Sequence, residues 1–371
     1  MGGLLASRNH LVASQRALTL MPREPNPLGE PETHSFKIPS SRTENWGYVD
    51  ESAFISALAA YGQENAATTL LGLSENATFR VKGEGGPATI LRIYRIGYRS
   101  REAIESELAW MTALKEQTEV ATPAALPALD GRLIGEISTS LGPAYYVMFQ
   151  ELGGLPPPED ELALWYSRLG VVCAKLHRHS SRWQPPSGFT RPRLEWETIA
   201  GQQAHWGSWA NAPGLDKSAI PILERTAAVL AERTAGYGKS KDRFGLIHGD
   251  LRLQNLLIEG ERVQVIDFDD CCTSWWLYDL ATALSLVEDL PHSPGLLDAW
   301  LNGYRTARTL DEEDMSMIPD LIILRRLQVL GWLGSRPQSE VTLQLARAYV
   351  PATVAAAEEF LMGRPRLRPS L

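Results

Sequence analysis

The stretch Leu246–Asp270, LIHGDLRLQNLLIEGERVQVIDFDD, constrains this chain more than any other. An acid, Asp250, follows a His-Gly pair; Asn255 comes five residues later, and a second acid, Asp267, twelve residues after that. Two apolar runs, Leu256–Ile258 and Val263–Ile266, flank Glu259-Gly260-Glu261. Short β-prone runs around a Gly-containing tight turn predict a hairpin. That hairpin puts one carboxylate on the loop before it and another at its far end, with the Asn facing the second. Phosphoryl transfer from ATP needs a carboxylate to orient a hydroxyl and accept its proton. It also needs an Asn and a carboxylate to offer hard oxygens to Mg2+. A turn carrying acids only for solubility would not explain acids after apolar strands at both places.

The order and spacing H-G-D-L-R-L-Q-N, then I-D-F-D-D, resemble the aminoglycoside phosphotransferase and choline kinase-like superfamily. Its catalytic loop is written His-Gly/Asn-Asp-x-x-x-x-Asn, followed by Ile-Asp-Phe/Trp. The resemblance covers roughly residues 65–335. It implies an α+β, two-lobed protein-kinase-like fold with a strand-rich N-lobe and a mainly helical C-lobe. It also implies ATP- and Mg2+-dependent transfer of the γ-phosphate to a hydroxyl of a small molecule such as an amino alcohol, amino acid, aminoglycoside or sugar. Asp250 is then the general base, Asn255 and Asp267 are the Mg2+ ligands, and His248 is a scaffold residue. Asp279 matches a position that braces the catalytic loop from the next helix; a helix N-cap is the other reading. Asp269 and Asp270 stay open between a substrate- or metal-facing acid and a solvated turn.

Homoserine kinase-like and bacterial stress-response kinase-like branches belong to the same superfamily, so a protein serine/threonine kinase is the alternative. No Ala-Pro-Glu segment is present, and the interval between Asp267 and Asp279 leaves little room for an activation loop, which favours a small acceptor. A nucleotide-binding scaffold without turnover is expected to have lost the base, the Asn or the metal acid; this chain keeps all three.

Periodicity along the rest of the chain fits two lobes. Residues 1–45 are rich in Pro, Ser and Glu and read as a flexible leader. Arg8, Arg16 and Arg23 precede its first acid, Glu24, a pattern loosely like a transit peptide; a disordered extension or a true start at Met21 is preferred. The N-lobe is expected over 46–150, the helical C-lobe over 151–362 and a frayed tail over 363–371. Helices are expected at Asp50–Tyr61 (capped by Asp50 or Ser52), Ser100–Lys115, Leu162–His179, Ile220–Arg233, Asp279–Leu290, Leu296–Ala307, Met317–Leu333 and Ser339–Phe360. Strands are expected within Thr68–Arg95, broken at Gly83–Pro87, and as a hairpin over Arg132–Ser138 and Tyr145–Glu151, turning at Gly142-Pro143.

ATP should be cradled by the N-lobe. Ser74, Asn76 and Thr78, in a loop running from Ser74 to Phe79, offer backbone N–H groups and hydroxyls to phosphate, although no G-x-G-x-x-G is present. In Ile90-Leu91-Arg92-Ile93, Arg92 has the alternation and charge to hold the phosphates, with a bidentate fork where many relatives carry Lys. Its partner is expected to be Glu107, with Glu102 and Glu105 as fallbacks. A hinge over Met148–Leu152, including Phe149, Glu151 and Leu152, should read adenine through its backbone.

The net charge of −8 and pI near 5.5 argue against a nucleic-acid partner. No apolar run reaches membrane-spanning length. Cys173, Cys271 and Cys272 lack zinc-like spacing and read as reduced, buried thiols of a cytoplasmic protein. His177 and His179, two apart on a helix, point to different faces and so do not form a ligand pair. Trp196, Trp206 and Trp209, and the pair Trp275-Trp276, either wall an acceptor pocket, which would suit an ammonium group, or pack in the core.

Overall fold

The computed structural model describes residues 51–139 and 142–370. The expected leader and the Asp50 cap lie outside them. The described residues form two compact units, 51–154 with 185–190, and 155–184 with 191–370. The excursion 185–190 joins the strand-rich unit, where the Thr190 N–H donates to Ser106 Oγ at 2.8 Å.

The strand-rich unit is an antiparallel sheet in the order β1-β2-β3-β6-β4, with β5 also paired to β6. Its strands are β1 (Ala67–Leu73), β2 (Asn76–Lys82), β3 (Thr89–Tyr94), β4 (Ala125–Leu126), β5 (Gly135–Thr139) and β6 (Gly142–Gln150). Strand alternation sorts its side chains. Ala77, Phe79, Val81, Leu91, Ile93, Tyr146 and Met148 bury one face against Phe54, Ala57 and Leu58 of α1 (Glu51–Ala59). The Phe54 and Phe79 rings lie 4.7 Å apart. Arg92 takes the other parity and meets α2 (Arg101–Gln117), a helix started by Ser100, whose Oγ accepts from the Ala103 N–H. Gly142 and Pro143, expected as a turn, begin β6 and pair with Thr139 and Ser138.

The second unit is mainly helical: α3 (Leu162–Ser180), α4 (Trp196–Ile199), α5 (Ile220–Tyr237), α6 (Tyr278–Ala283), α7 (Ser293–Arg305), α8 (Glu312–Gly334) and α9 (Glu340–Leu361). Helices α3 and α7 approach so closely that a Cβ on Gly170 would lie 2.1 Å from the Trp300 carbonyl oxygen, and one on Gly303 would lie 1.9 Å from that of Ser167. Four short strands, β7 (Phe244–Ile247), β8 (Leu256–Glu259), β9 (Arg262–Val265) and β10 (Cys272–Trp275), form two antiparallel pairs, β7 with β10 and β8 with β9. Thus an antiparallel-sheet N-lobe precedes a helical C-lobe, the α+β architecture that the motif implied.

Several expectations are corrected. The helix expected over 279–290 stops at Ala283, because the chain turns and Leu286 adopts a left-handed φ of 71° that an α-helix cannot contain. Helix α8 starts five residues before the expected Met317, at an Asp311 cap whose carboxylate accepts from the Asp314 N–H while Asp314 answers to the Asp311 N–H. Up to Ser370 the tail is tied down rather than frayed: Leu367 is buried, Arg366 pairs with Glu359, and Ser370 bonds Asp298. Trp275 and Trp276 are core residues, 1% and 3% exposed, with Trp275 Nε1 donating to the Gly238 carbonyl at 2.8 Å. All three cysteines are buried and none forms a disulfide. Among the described residues, no helix is long and apolar enough to cross a membrane.

One buried acid makes stability pH-dependent. Asp320 on α8 is fully buried, with Arg233 Nε 2.9 Å away on the half-exposed side. Burial outweighs that cation and pushes the carboxyl up to about 6. The unfolded chain therefore loses this proton at lower pH than the folded one, and stability falls as pH rises from about 4 to 6. Asp320→Asn should raise Tm over wild type above pH 6, with the gap closing below about pH 4 in thermal scans.

Candidate active site

The loop 248–255 leaves β7 and enters the β8–β9 hairpin, which returns the chain through Asp267 to β10 beside β7. Both ends of this excursion are tied at one residue, Ile266. His248 Nε2 contacts the Ile266 carbonyl at 3.2 Å, and the Ile266 N–H donates to the Asn255 carbonyl at 3.0 Å. These bonds place the residue before Asp267 against both the start and the finish of the loop. Of the three residues that carry the motif, Asp250 is half-buried, Asn255 buried and Asp267 exposed.

The loop is braced from α6. Asp279 accepts the backbone N–H groups of His248 at 3.1 Å and Gly249 at 2.8 Å. The brace reading of Asp279 therefore holds; the helix cap position belongs to Leu277. Gly249 is required on two counts: its φ is +81°, and a Cβ there would sit 2.3 Å from the Asp270 carbonyl oxygen. Behind the brace, His177 Nε2 lies 3.0 Å from Asp279 Oδ2, and its Nδ1 lies 2.9 Å from the Tyr304 hydroxyl. Burial pushes the imidazole down and Asp279 only partly offsets it. Because a carboxylate only accepts, Nε2 donates to Asp279, and a neutral ring would then accept the Tyr304 hydroxyl at Nδ1. Cys173, His177 and Asp279 lie close enough to suggest a metal cluster. However, the Asp279 carboxylate is already engaged by two backbone donors and the imidazole, and burial pushes the Cys173 thiol well up, away from a ligating thiolate.

Asp250 sits in a dense set of donors. Arg325 Nη2 on α8 bonds its Oδ1 at 3.0 Å. Arg252 reaches its Oδ2 with Nε at 3.1 Å and Nη2 at 2.9 Å. Asn255 Nδ2 donates to the Asp250 carbonyl at 2.8 Å and to Oδ2 at 3.2 Å. Burial pushes the carboxyl up, but the Arg252 and Arg325 guanidiniums more than offset it and hold it below the ordinary carboxylate range. With its Nδ2 so engaged, Asn255 has its Oδ1 left to offer. Asp267 adopts a left-handed backbone, φ 67° and ψ 60°, a conformation that a non-glycine residue holds at a cost of about 1–3 kcal/mol. Arg191 secures the turn after it, donating to the carbonyls of Cys271 at 2.7 Å and of Asp269. An amide oxygen and an exposed carboxylate are the hard donor set that a divalent cation takes.

In the strand-rich unit Arg92 pairs with Glu107, the first of the three acids considered, at 2.8 Å. Glu107 is fully buried and also receives the Tyr94 hydroxyl at 3.2 Å. The Arg92 guanidinium lies 5.2 Å from the Phe149 ring centre. The phosphate-covering loop is shorter than expected. Only Ser74 and Glu75 form the turn, whereas Asn76 and Thr78 belong to β2, opposite Tyr94 and Arg92. Asn76 is buried, so its side chain faces away from solvent. Phe149 is in β6, while Glu151 and Leu152 follow that strand; the Glu151 side chain is held by Arg80 at 2.6 Å.

Sequence reasoning missed Arg325, which carries no local motif, and it marked the stretch 188–193 as distinctive without giving Arg191 this part in the turn. It also passed over Arg252, which lies inside the quoted loop.

Known proteins resemble this chain in sequence and in fold. A solved microcompartment-associated aminopropanol kinase is 38% identical, with a TM-score of 0.79 over 85% of this chain and 98% of that one. Homoserine kinase from Sinorhizobium medicae (strain WSM419) is 27% identical over 73% of this chain and 80% of its own length. An amicoumacin kinase, solved in complex with AMP-PNP, Ca2+ and Ami, shares the fold at 20% identity and a TM-score of 0.71, covering 87% of this chain and 96% of that one. The sequence model of the phosphotransferase enzyme family matches residues 67–315, reaching into both units, and the chain belongs to that family of kinases that phosphorylate hydroxyl groups.

Proposed function

We propose that this enzyme transfers the γ-phosphoryl group of Mg-ATP to the hydroxyl of a small amino alcohol. The observation that carries the reading is Asp250, a carboxylate fixed by Arg252, Arg325 and Asn255 on a braced loop. The acceptor class rests on the 38% likeness to the aminopropanol kinase, which extends over nearly all of that chain.

In this reading Asp250 orients the acceptor hydroxyl and takes its proton as the bond to phosphorus forms. Its lowered affinity for protons makes it an orienting group more than a strong base, which suits a loose phosphoryl-transfer transition state. Asn255 Oδ1 and the Asp267 carboxylate would hold Mg2+, which when bound neutralises charge on the phosphates. Arg92, aimed by Glu107, would bind the α- and β-phosphates. The turn at Ser74, with Thr78 beside Arg92, would cover them, with Asn76 supporting that turn through its carbonyl, which accepts the Ser74 N–H. The backbone from Phe149 through Glu151 to Leu152 would read adenine.

Three measurements test this. ADP release from Mg-ATP should be stimulated by aminopropanol more than by homoserine, a sugar pool or a generic protein substrate. Release with protein alone would promote a protein-kinase reading. Asp250→Asn should abolish transfer while Mg-ATP still protects the chain thermally, and Asp267→Asn should weaken that protection too; undiminished turnover in Asp250→Asn would sink the role given to it. Arg92→Ala should raise the KM for ATP by about tenfold or more, as loss of one charge-assisted phosphate contact implies; an unchanged ATP titration would mean that the phosphate cation lies elsewhere.

A further inference from the structure

Resting on the reading of Asp250 as the proton acceptor, the hydrogen bonds around it distinguish its two oxygens. Oδ2 already accepts three donors: Arg252 Nε and Nη2, and Asn255 Nδ2. Oδ1 accepts one, Arg325 Nη2 at 3.0 Å. A carboxylate oxygen has about two lone-pair sites, so Oδ1 alone has capacity for a further donor. We propose that Arg325 is a positioning residue that holds Asp250 Oδ1 as the oxygen which receives the proton of the acceptor hydroxyl.

Arg325 is itself held at its other two nitrogens. Nε donates to Ser285 Oγ at 2.9 Å, and Nη1 donates to Gln328 Oε1 at 2.6 Å. Gln328 Oε1 also accepts the Tyr278 hydroxyl at 2.8 Å. Tyr278 precedes Asp279, so two successive residues of α6 act on the same loop by different routes. Asp279 fixes the backbone at His248 and Gly249, and Tyr278, through Gln328 and Arg325, fixes the direction of the Asp250 side chain. In the transfer, the acceptor oxygen bonds to the γ-phosphorus as the bond to the bridging oxygen breaks. The electron pair of that bond leaves with ADP, and the hydroxyl proton passes to Oδ1. Arg325 touches neither nucleotide nor acceptor in this scheme; it acts through Asp250.

Positioning, unlike binding, separates kcat from KM. Full-length wild type, Arg325→Ala, Arg325→Lys, Tyr278→Phe and Asp250→Asn are compared for ADP release from Mg-ATP with aminopropanol and, separately, with water as acceptor. Arg325→Ala should lower kcat by about 10- to 100-fold, the scale of a small misplacement of a reacting group. The KM values for ATP and aminopropanol should stay within about threefold, since no phosphate or acceptor contact is removed. Arg325→Lys, which restores a single donor to Oδ1, should recover part of the loss. Tyr278→Phe should cost less than Arg325→Ala. If Arg325→Ala does not fold, the Lys and Phe variants carry the same test. An unchanged kcat in the Arg325 variants while Asp250→Asn is dead overturns the positioning role alone. A rise in acceptor KM at constant kcat overturns it in favour of direct acceptor binding. Wild-type release no faster than Asp250→Asn with either acceptor removes the underlying reading, and the proposal with it.

Discussion

The carboxylate of Asp279 is the interaction on which the C-terminal unit's site depends. It is fully buried, and an uncompensated charge there would cost several kcal/mol. It is compensated by two backbone N–H groups of the loop and by the imidazole of His177, with the Cys173 thiol at 3.7 Å. The dependence runs both ways. The loop keeps its left-handed turn at Gly249 because its amides have a buried acceptor, and the oxygens of that acceptor are satisfied because those amides converge on it. His177 in turn is oriented by Tyr304 on α7, the helix that packs against α3 through Gly170 and Gly303. The closeness of those helices is thereby linked to the shape of a loop far along the chain.

Charge around Asp250 follows a different logic. Two guanidiniums reach one carboxylate from very different distances along the sequence, one within the loop and one 75 residues away on α8. They lower its proton affinity, which would be a poor choice for a base acting by strength. It is a sound choice for a base acting by geometry, because a loose transition state releases the hydroxyl proton late and asks chiefly for alignment. Charge-assisted bonds are short and directional, so they supply that alignment with little residual rotation.

What the sequence made legible divides along the range of the interactions. The hairpin that sets Asn255 apart from Asp267 could be read because the ladder of β8 and β9 is a local structure. Arg92 and Glu107 could be paired because strand alternation and a capped helix fix their faces independently. Arg325 could not be read: it is one of two adjacent arginines in a mostly apolar stretch of α8, and nothing near it announces a contact with a loop so distant. The same limit explains Trp275 and Trp276, whose place in the core is set by Gly238 and Gly245. It explains the early end of α6 as well, because an apolar stretch continuing through Leu286 reads as helix until its backbone is known. Arg-Pro alternation hides the docking of the tail, in which Leu367 is the buried side chain among the described residues.

Asn255 shows why residue types at such a site are narrowly determined. Its amide nitrogen donates to both the carbonyl and the carboxylate of Asp250, which points its remaining oxygen the other way. One side chain thus presents a donor to the proposed base and an acceptor to the proposed cation. An aspartate would add a second negative charge within 3.2 Å of Asp250 Oδ2 and lose the donor. A serine would be too short to reach both, and a glutamine would bring an extra rotatable bond into a buried position. Asp267 solves the complementary problem, since a short acid tolerates the left-handed backbone better than a longer or branched residue and leaves its carboxylate exposed. The amide is buried, which divides its two ends, whereas the acid is exposed to solvent.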